Sequence, residues 1–179
     1  MTATSLNHGV DTSALGSFVE HTQTKPDYAG TAFSANVVWQ GGFRNEIQVR
    51  DLDPQFADEP ASLGGTDTAS NPVEQILGAF GACLAIGYTA GAIGRGIDLR
   101  GLELDLTGII DLPVFFGLKE GHAGFSEIDV VVRIDSDASP EALKALHEAV
   151  LRTSPVGNTL ERPVTIHARL AELRTAVAA

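Results

Sequence analysis

An α+β fold with antiparallel strands is what the chain predicts, on three observations. Apolar and polar residues alternate in separate stretches, at Phe33–Trp39, Phe43–Arg50, Leu102–Leu106, Ile128–Ile134 and Val164–Leu170. One long run, Ile76 to Gly94, carries no charge at all. The order is hairpin, apolar helix, strands, amphipathic helix, strand, which does not alternate β with α as a parallel sheet would.

The elements follow in order. Residues 1 to 30 read as a polar N-terminal extension, with Val10, Leu15, Phe18 and Val19 spaced for a short helix before Lys25-Pro26. Residues 31 to 179 read as a single domain. Phe33, Ala35, Val37 and Trp39 share one strand face, and Gln40-Gly41-Gly42 turns the chain into a second strand, Phe43 to Arg50, completing a hairpin. Residues 51 to 70, rich in Asp, Pro, Gly and Ser, read as a long connection.

The helix beginning near Asn71 has strong start signals. Asn71 suits the cap, Pro72 the first helical position, and Glu74 the place from which a carboxylate bonds back to the cap amide. Its apolar residues run all round, which predicts burial on both faces. Gly78, Gly81, Ala82, Ala85, Thr89 and Ala92 form a small-residue ridge that predicts close contact with another helix. Because one small sheet cannot cover both faces, a second subunit is expected. The run approaches the roughly 20 residues of a membrane span. However, it contains five glycines and has no basic flank, so a buried helix is the expected reading.

Gly94 and Gly96 end this helix. Ile109 to Gly124 is irregular, with Phe115 and Phe116 near Pro113. Ser139 caps an amphipathic helix bearing Leu143, Leu146, His147 and Val150, with His147 expected as a half-buried packing residue. Ser154-Pro155 is expected to end that helix, Gly157-Asn158 to turn the chain, and Val164 to Leu170 to form a last strand.

Composition removes several classes of function. A net charge of −11 without a basic cluster argues against nucleic-acid binding. The five histidines are scattered, with no metal-ligand spacing, so no metal or cofactor is expected. GAIGRG follows a helix rather than opening one, so it is no dinucleotide fingerprint. One cysteine, Cys83, permits no internal disulfide, and MTATSLNHGVDTS has neither the basic nor the apolar segment of a secretory signal. The expected location is cytoplasmic, with no membrane partner.

Four segments in order, NPVEQILGAFGACL, RGIDLRGLELDLTG, GFSEIDVVVRIDSDASPEAL and SPVGNTLERPVTI, resemble the OsmC/Ohr family of osmotically inducible and organic-hydroperoxide-resistance proteins. The resemblance runs from about Phe33 to Leu170. It implies an intertwined homodimer, with antiparallel sheets wrapped around long central helices and sites at the subunit interface. It also implies a thiol peroxidase, in which a cysteine on the central helix attacks a hydroperoxide and a second cysteine traps the sulfenic acid.

Cys83 matches the first cysteine, while Ser154 stands where the second is expected, so the chain resembles a branch with serine there. A serine cannot form the disulfide, and an external thiol must then resolve the oxidised residue. Cys83 lies about three turns inside its helix, beyond reach of the macrodipole, so an activating cation has to come from elsewhere. The resemblance implies an arginine from the first hairpin. Arg44 is the nearest match and Arg50 the reserve. It also implies a glutamate near the helix start. Glu74 is the nearest match, one residue past the aligned Val73, although nine residues at roughly 100° each turn it away from Cys83.

Plainer readings stand beside these. Cys83 also reads as a small buried hydrophobe, Arg44 as a solvated strand residue, Glu74 as a cap, Ser154 as a helix end, and Phe115 and Phe116 as packing rather than a substrate entrance. Two functions follow. One is a one-cysteine peroxidase acting on organic hydroperoxides, with Cys83 as nucleophile. The other is an inactive dimer that binds a small hydrophobic ligand in its interface pocket.

Overall fold

The computed structural model describes residues 8–25 and 30–171. Helix α1 (Thr12–Thr24) starts where the Asp11 carboxylate accepts from the amides of Ser13 and Ala14, and it buries none of its residues. Strands β1 (Asn36–Trp39), β2 (Asn45–Gln48) and β3 (Gln55–Ala57) form an antiparallel sheet in that order, with Val37 opposite Ile47 and Ile47 opposite Gln55. The predicted hairpin is present, with β1 beginning three residues later than the alternation suggests. Gly41 (φ 101°) and Gly42 (φ 56°) take the left-handed region that the turn requires.

β3 lies inside the stretch expected to be a plain connection. Three residues are too few for alternation to show.

The central helix α2 (Pro72–Ile93) begins with both halves of the expected capping box. The Glu74 amide donates to Asn71 Oδ1 at 2.9 Å, and the Asn71 amide donates to Glu74 Oε2 at 2.8 Å. Strands β4 (Gly101–Ile109) and β5 (Glu127–Asp135) pair antiparallel along their whole length, from Gly101 opposite Asp135 to Ile109 opposite Glu127. Between them, Asp111 caps a one-turn helix α3 (Leu112–Phe115). Helix α4 (Pro140–Thr153) carries the expected Ser139 cap.

The core lies where α2 and α4 cross the inner face of β4–β5. Leu84, Tyr88, Ala92, Ile97, Leu146 and Val150 are buried there, with Leu102, Leu104, Val130, Val132 and Ile134 packed against them. The outer face of the sheet carries the Arg133–Asp105 ion pair.

Four expectations are refined or corrected. First, the single chain covers one face of α2: Gly81, Leu84, Tyr88 and Ala92 are buried, whereas Ile86 is 71% exposed, so the face left for a second subunit is the one that carries Ile86. Second, the close helix contact uses other glycines than the ridge. A Cβ on Gly91 would stand 2.6 Å from Leu146 of α4 and one on Gly87 3.0 Å from Val150, whereas Gly81 faces Leu106 of β4. Residue size along α2 defines the ridge, and size does not say which face α4 meets.

Third, no turn occurs at Gly157-Asn158. Pro155 starts helix α5 (Pro155–Glu161), because Pro fits a first turn as well as it stops a preceding one. Fourth, Val164–Leu170 pairs with no strand among the described residues, and Ile166 and Leu170 are 84% and 92% exposed. Alternation marks a segment able to pair and does not supply the partner.

Candidate functional site

Cys83 sits at mid-helix in α2, half-buried, and faces the junction of α4 and α5. Its Sγ lies 3.3 Å from Ser154 Oγ. Ser154 is buried and ends α4 while capping α5, its Oγ accepting the Gly157 amide at 3.1 Å. An oxygen that already accepts from a backbone amide still has its own proton to give, and here the sulfur is the group within reach. Gly157 lets the junction approach α2, since a Cβ there would meet Phe80 at 3.0 Å. The residues predicted as nucleophile and as occupant of the second cysteine's place are thus in contact.

The other predicted residues sit elsewhere in the chain. The Arg44 guanidinium donates to Thr68 Oγ1 at 2.6 Å and stacks 4.2 Å over the Phe56 ring. Arg50 is exposed in the left-handed region (φ 52°) and its carbonyl accepts from Gln48 Nε2. Among the described residues neither arginine hydrogen-bonds Cys83 or Ser154. Glu74 is engaged in its capping box. It shares a cleft of about 330 Å³ with Phe115, Val73, Leu77 and Leu112, a cleft that Cys83 does not line. Phe116 meets Phe115 edge to face, with centroids 5.0 Å apart.

Two features escape a reading from sequence. Asp58 is buried, and its carboxylate accepts the Thr66 hydroxyl and amide, the Glu59 amide at 2.8 Å, and the Thr68 amide and hydroxyl at 3.2 and 3.0 Å. The Thr66 hydroxyl above all, then the Glu59 and Thr68 donors, hold its pKa well below the usual carboxylate range against the cost of burial. Because Thr68 also receives Arg44, the Asp58 loop fixes that arginine. The TDT run preceding α2 is the only hint, since Thr and Asp side chains favour turns by bonding nearby backbone.

The second feature is Tyr88, fully buried, whose hydroxyl bonds His147 Nδ1 of α4, with the two rings stacked at 6.2 Å. Burial raises the Tyr88 pKa, so it remains a neutral phenol. His147 is half-buried as expected, but it is bonded as well as packed.

The chain matches no curated protein. Solved structures share the fold at low identity. An OsmC-like protein from Mycoplasma pneumoniae is 20% identical with a TM-score of 0.64, over 73% of this chain and 88% of that one. An organic hydroperoxide resistance protein OsmC from Legionella pneumophila is 17% identical with a TM-score of 0.57, over 73% and 91%. An organic hydroperoxide resistance protein from Elizabethkingia anophelis, with thiocyanate bound, is 18% identical with a TM-score of 0.55, over 72% and 88%. The profile of the family described as OsmC-like protein matches residues 65–169, a span that holds α2, Cys83, the β4–β5 ribbon and Ser154. With more than half the chain so matched, the protein belongs to the OsmC-like family.

Proposed function

We propose that the protein reduces organic hydroperoxides in a stress-related role, using Cys83 as a single peroxidatic thiol and an external thiol as reductant. The observation that carries this reading is the contact between Cys83 and Ser154. The Ser154 hydroxyl lies within hydrogen-bond reach of the sulfur, so it can donate to the thiolate, the form that acts as nucleophile. In the reaction the Cys83 thiolate attacks the outer peroxide oxygen, the O–O bond breaks, and the leaving alkoxide takes a proton to become an alcohol. Sulfur, oxidised by two electrons, is left as sulfenic acid. One external thiol condenses with it and releases water, and a second thiol cleaves the mixed disulfide to restore Cys83.

The site is completed, on this reading, in a cytoplasmic homodimer. Exposed Ile86 on α2 and the unpaired alternation of Val164–Leu170 support a second copy covering both. Arg44 or Arg50 then supplies the cation that stabilises thiolate and peroxide, with Phe115 and Phe116 lining the entrance for an apolar substrate and Glu74 at its rim.

The cleft beside Phe115 favours a second reading, a dimer that binds a small hydrophobic ligand without turnover. Intact mass after stoichiometric cumene hydroperoxide with a sulfenic-acid trap separates the two. One trapped adduct, absent from Cys83→Ser, supports the peroxidase. An unmodified mass after long exposure rejects it in favour of the binding protein.

A further inference from the structure

A second cleft, of about 640 Å³, opens where β5 runs past α2 toward α5. Its walls are largely apolar, from Ile76, Phe80, Ile128, Val130, Leu151 and Leu160, and His147 lines it beside His122, Ser126 and Thr159. Cys83, Phe115 and Glu74 are not part of the lining. The volume falls within the roughly 300–1,000 Å³ of small-molecule sites.

Chemistry selects the group that His147 presents there. The Tyr88 hydroxyl is fully buried and has one polar partner among the described residues, His147 Nδ1. Were Nδ1 the donor, the phenol proton would be buried without an acceptor, which costs its full desolvation. The phenol therefore donates, Nδ1 accepts, and in the neutral ring the proton resides on Nε2. Nε2 has no other hydrogen bond among the described residues. Of the other polar side chains in the lining, Ser126 and Thr159 donate their hydroxyls to the carbonyls of Ile109 and Pro155, and His122 is exposed, so the Nε2–H of His147 is the donor that a buried partner orients. The charged residues of the cleft, Glu127 and Glu161, are exposed carboxylates, which repel an anion.

We propose that this cleft binds a neutral apolar molecule carrying one carbonyl-type acceptor, which takes a hydrogen bond from His147 Nε2 while Tyr88 holds the imidazole in that tautomer. The site is independent of Cys83 oxidation and is to be tested in Cys83→Ser as well as in the parent protein. Three single-ring probes of similar size isolate the terms: acetophenone with the acceptor, ethylbenzene without it, and benzoate with a charge.

NMR titration following the methyl signals of Ile128, Leu151 and Leu160 should show acetophenone binding about fivefold more tightly than ethylbenzene, the worth of one hydrogen bond. Benzoate should bind weakest. His147→Leu should bring the acetophenone-to-ethylbenzene ratio close to one while keeping the apolar binding, and His147→Gln, which retains an N–H, should recover part of the preference. Absence of shifts at these methyls, equal binding of the first two probes in the parent protein, or an unchanged ratio in His147→Leu would overturn the proposal.

Discussion

Cys83 Sγ and Ser154 Oγ lie 3.3 Å apart across the contact between α2 and the α4–α5 junction. The hydroxyl belongs to a residue clamped by its capping bond to Gly157, so the pair is held by two helices rather than by a mobile loop.

That proximity predicts the outcome of Ser154→Cys. A second thiol at this place sits within a small shift of bonding distance, so stoichiometric hydroperoxide should convert both thiols into an intramolecular disulfide. Thiol titration and intact mass before and after reduction check this. A free thiol remaining at position 154 while Cys83 is captured as its sulfenic acid would show that the junction cannot close.

Ser154→Ala removes the cap of α5 and the hydroxyl beside sulfur together. Loss of the cap should cost about 1 kcal/mol in urea unfolding. Alkylation of Cys83 near neutral pH should slow, because the thiolate loses a donor. Ser154→Thr, which keeps a hydroxyl, should recover the alkylation rate better than the alanine variant.

Asp58 predicts an acid-side loss of stability. Its folded pKa lies below its unfolded value, so the folded state binds fewer protons and stability rises with pH across that interval. The contribution is complete above about pH 4 and is lost as pH falls through the folded pKa. Asp58→Asn should be less stable than the parent at pH 6, with the gap narrowing towards pH 3. Chemical denaturation at several pH values measures this, and a constant gap would count against the argument.

Gly91 and Leu146 should couple. A Cβ at Gly91 would stand 2.6 Å from Leu146 Cδ1, so Gly91→Ala should destabilise by about 1–3 kcal/mol. Leu146→Ala should cost about 2–5 kcal/mol through its cavity. The double variant should cost clearly less than the sum, since each change makes room for the other. Additive losses in a denaturation cycle would mean that the helices do not meet as described.

Ile86 tests the second subunit. It is 71% exposed on the uncovered face of α2. Ile86→Asp should leave the chain folded by circular dichroism while shifting sedimentation from dimer to monomer, because burying an unpaired carboxylate opposes association. Parent and variant sedimenting alike would remove the support for an interface on this face.

Much of this was legible beforehand for local reasons. Asn71, Pro72 and Glu74 specify a helix start by hydrogen bonds within four residues, and Ser139-Pro140 does the same for α4. The paired strands β4 and β5 are legible from the alternation at Leu102–Leu106 and Ile128–Ile134, each within a strand of nine residues. The three residues of β3 were too few to do so. The resemblance offers Arg44 as an activating cation; its bonds within the chain depend on Thr68 and Asp58, folded back from residues with no periodic signal, which no spacing in the sequence announces.

The sequence by itself determined the α+β class, the apolar central helix and the family resemblance, because these rest on local hydrogen bonding, periodicity and residue identity. Only the tertiary structure decided which face of α2 is covered, that Gly87 and Gly91 rather than the predicted ridge admit α4, and that Tyr88 orients His147. Those outcomes depend on which distant surfaces meet and on which buried polar atoms must find partners, and spacing along one chain does not encode either directly.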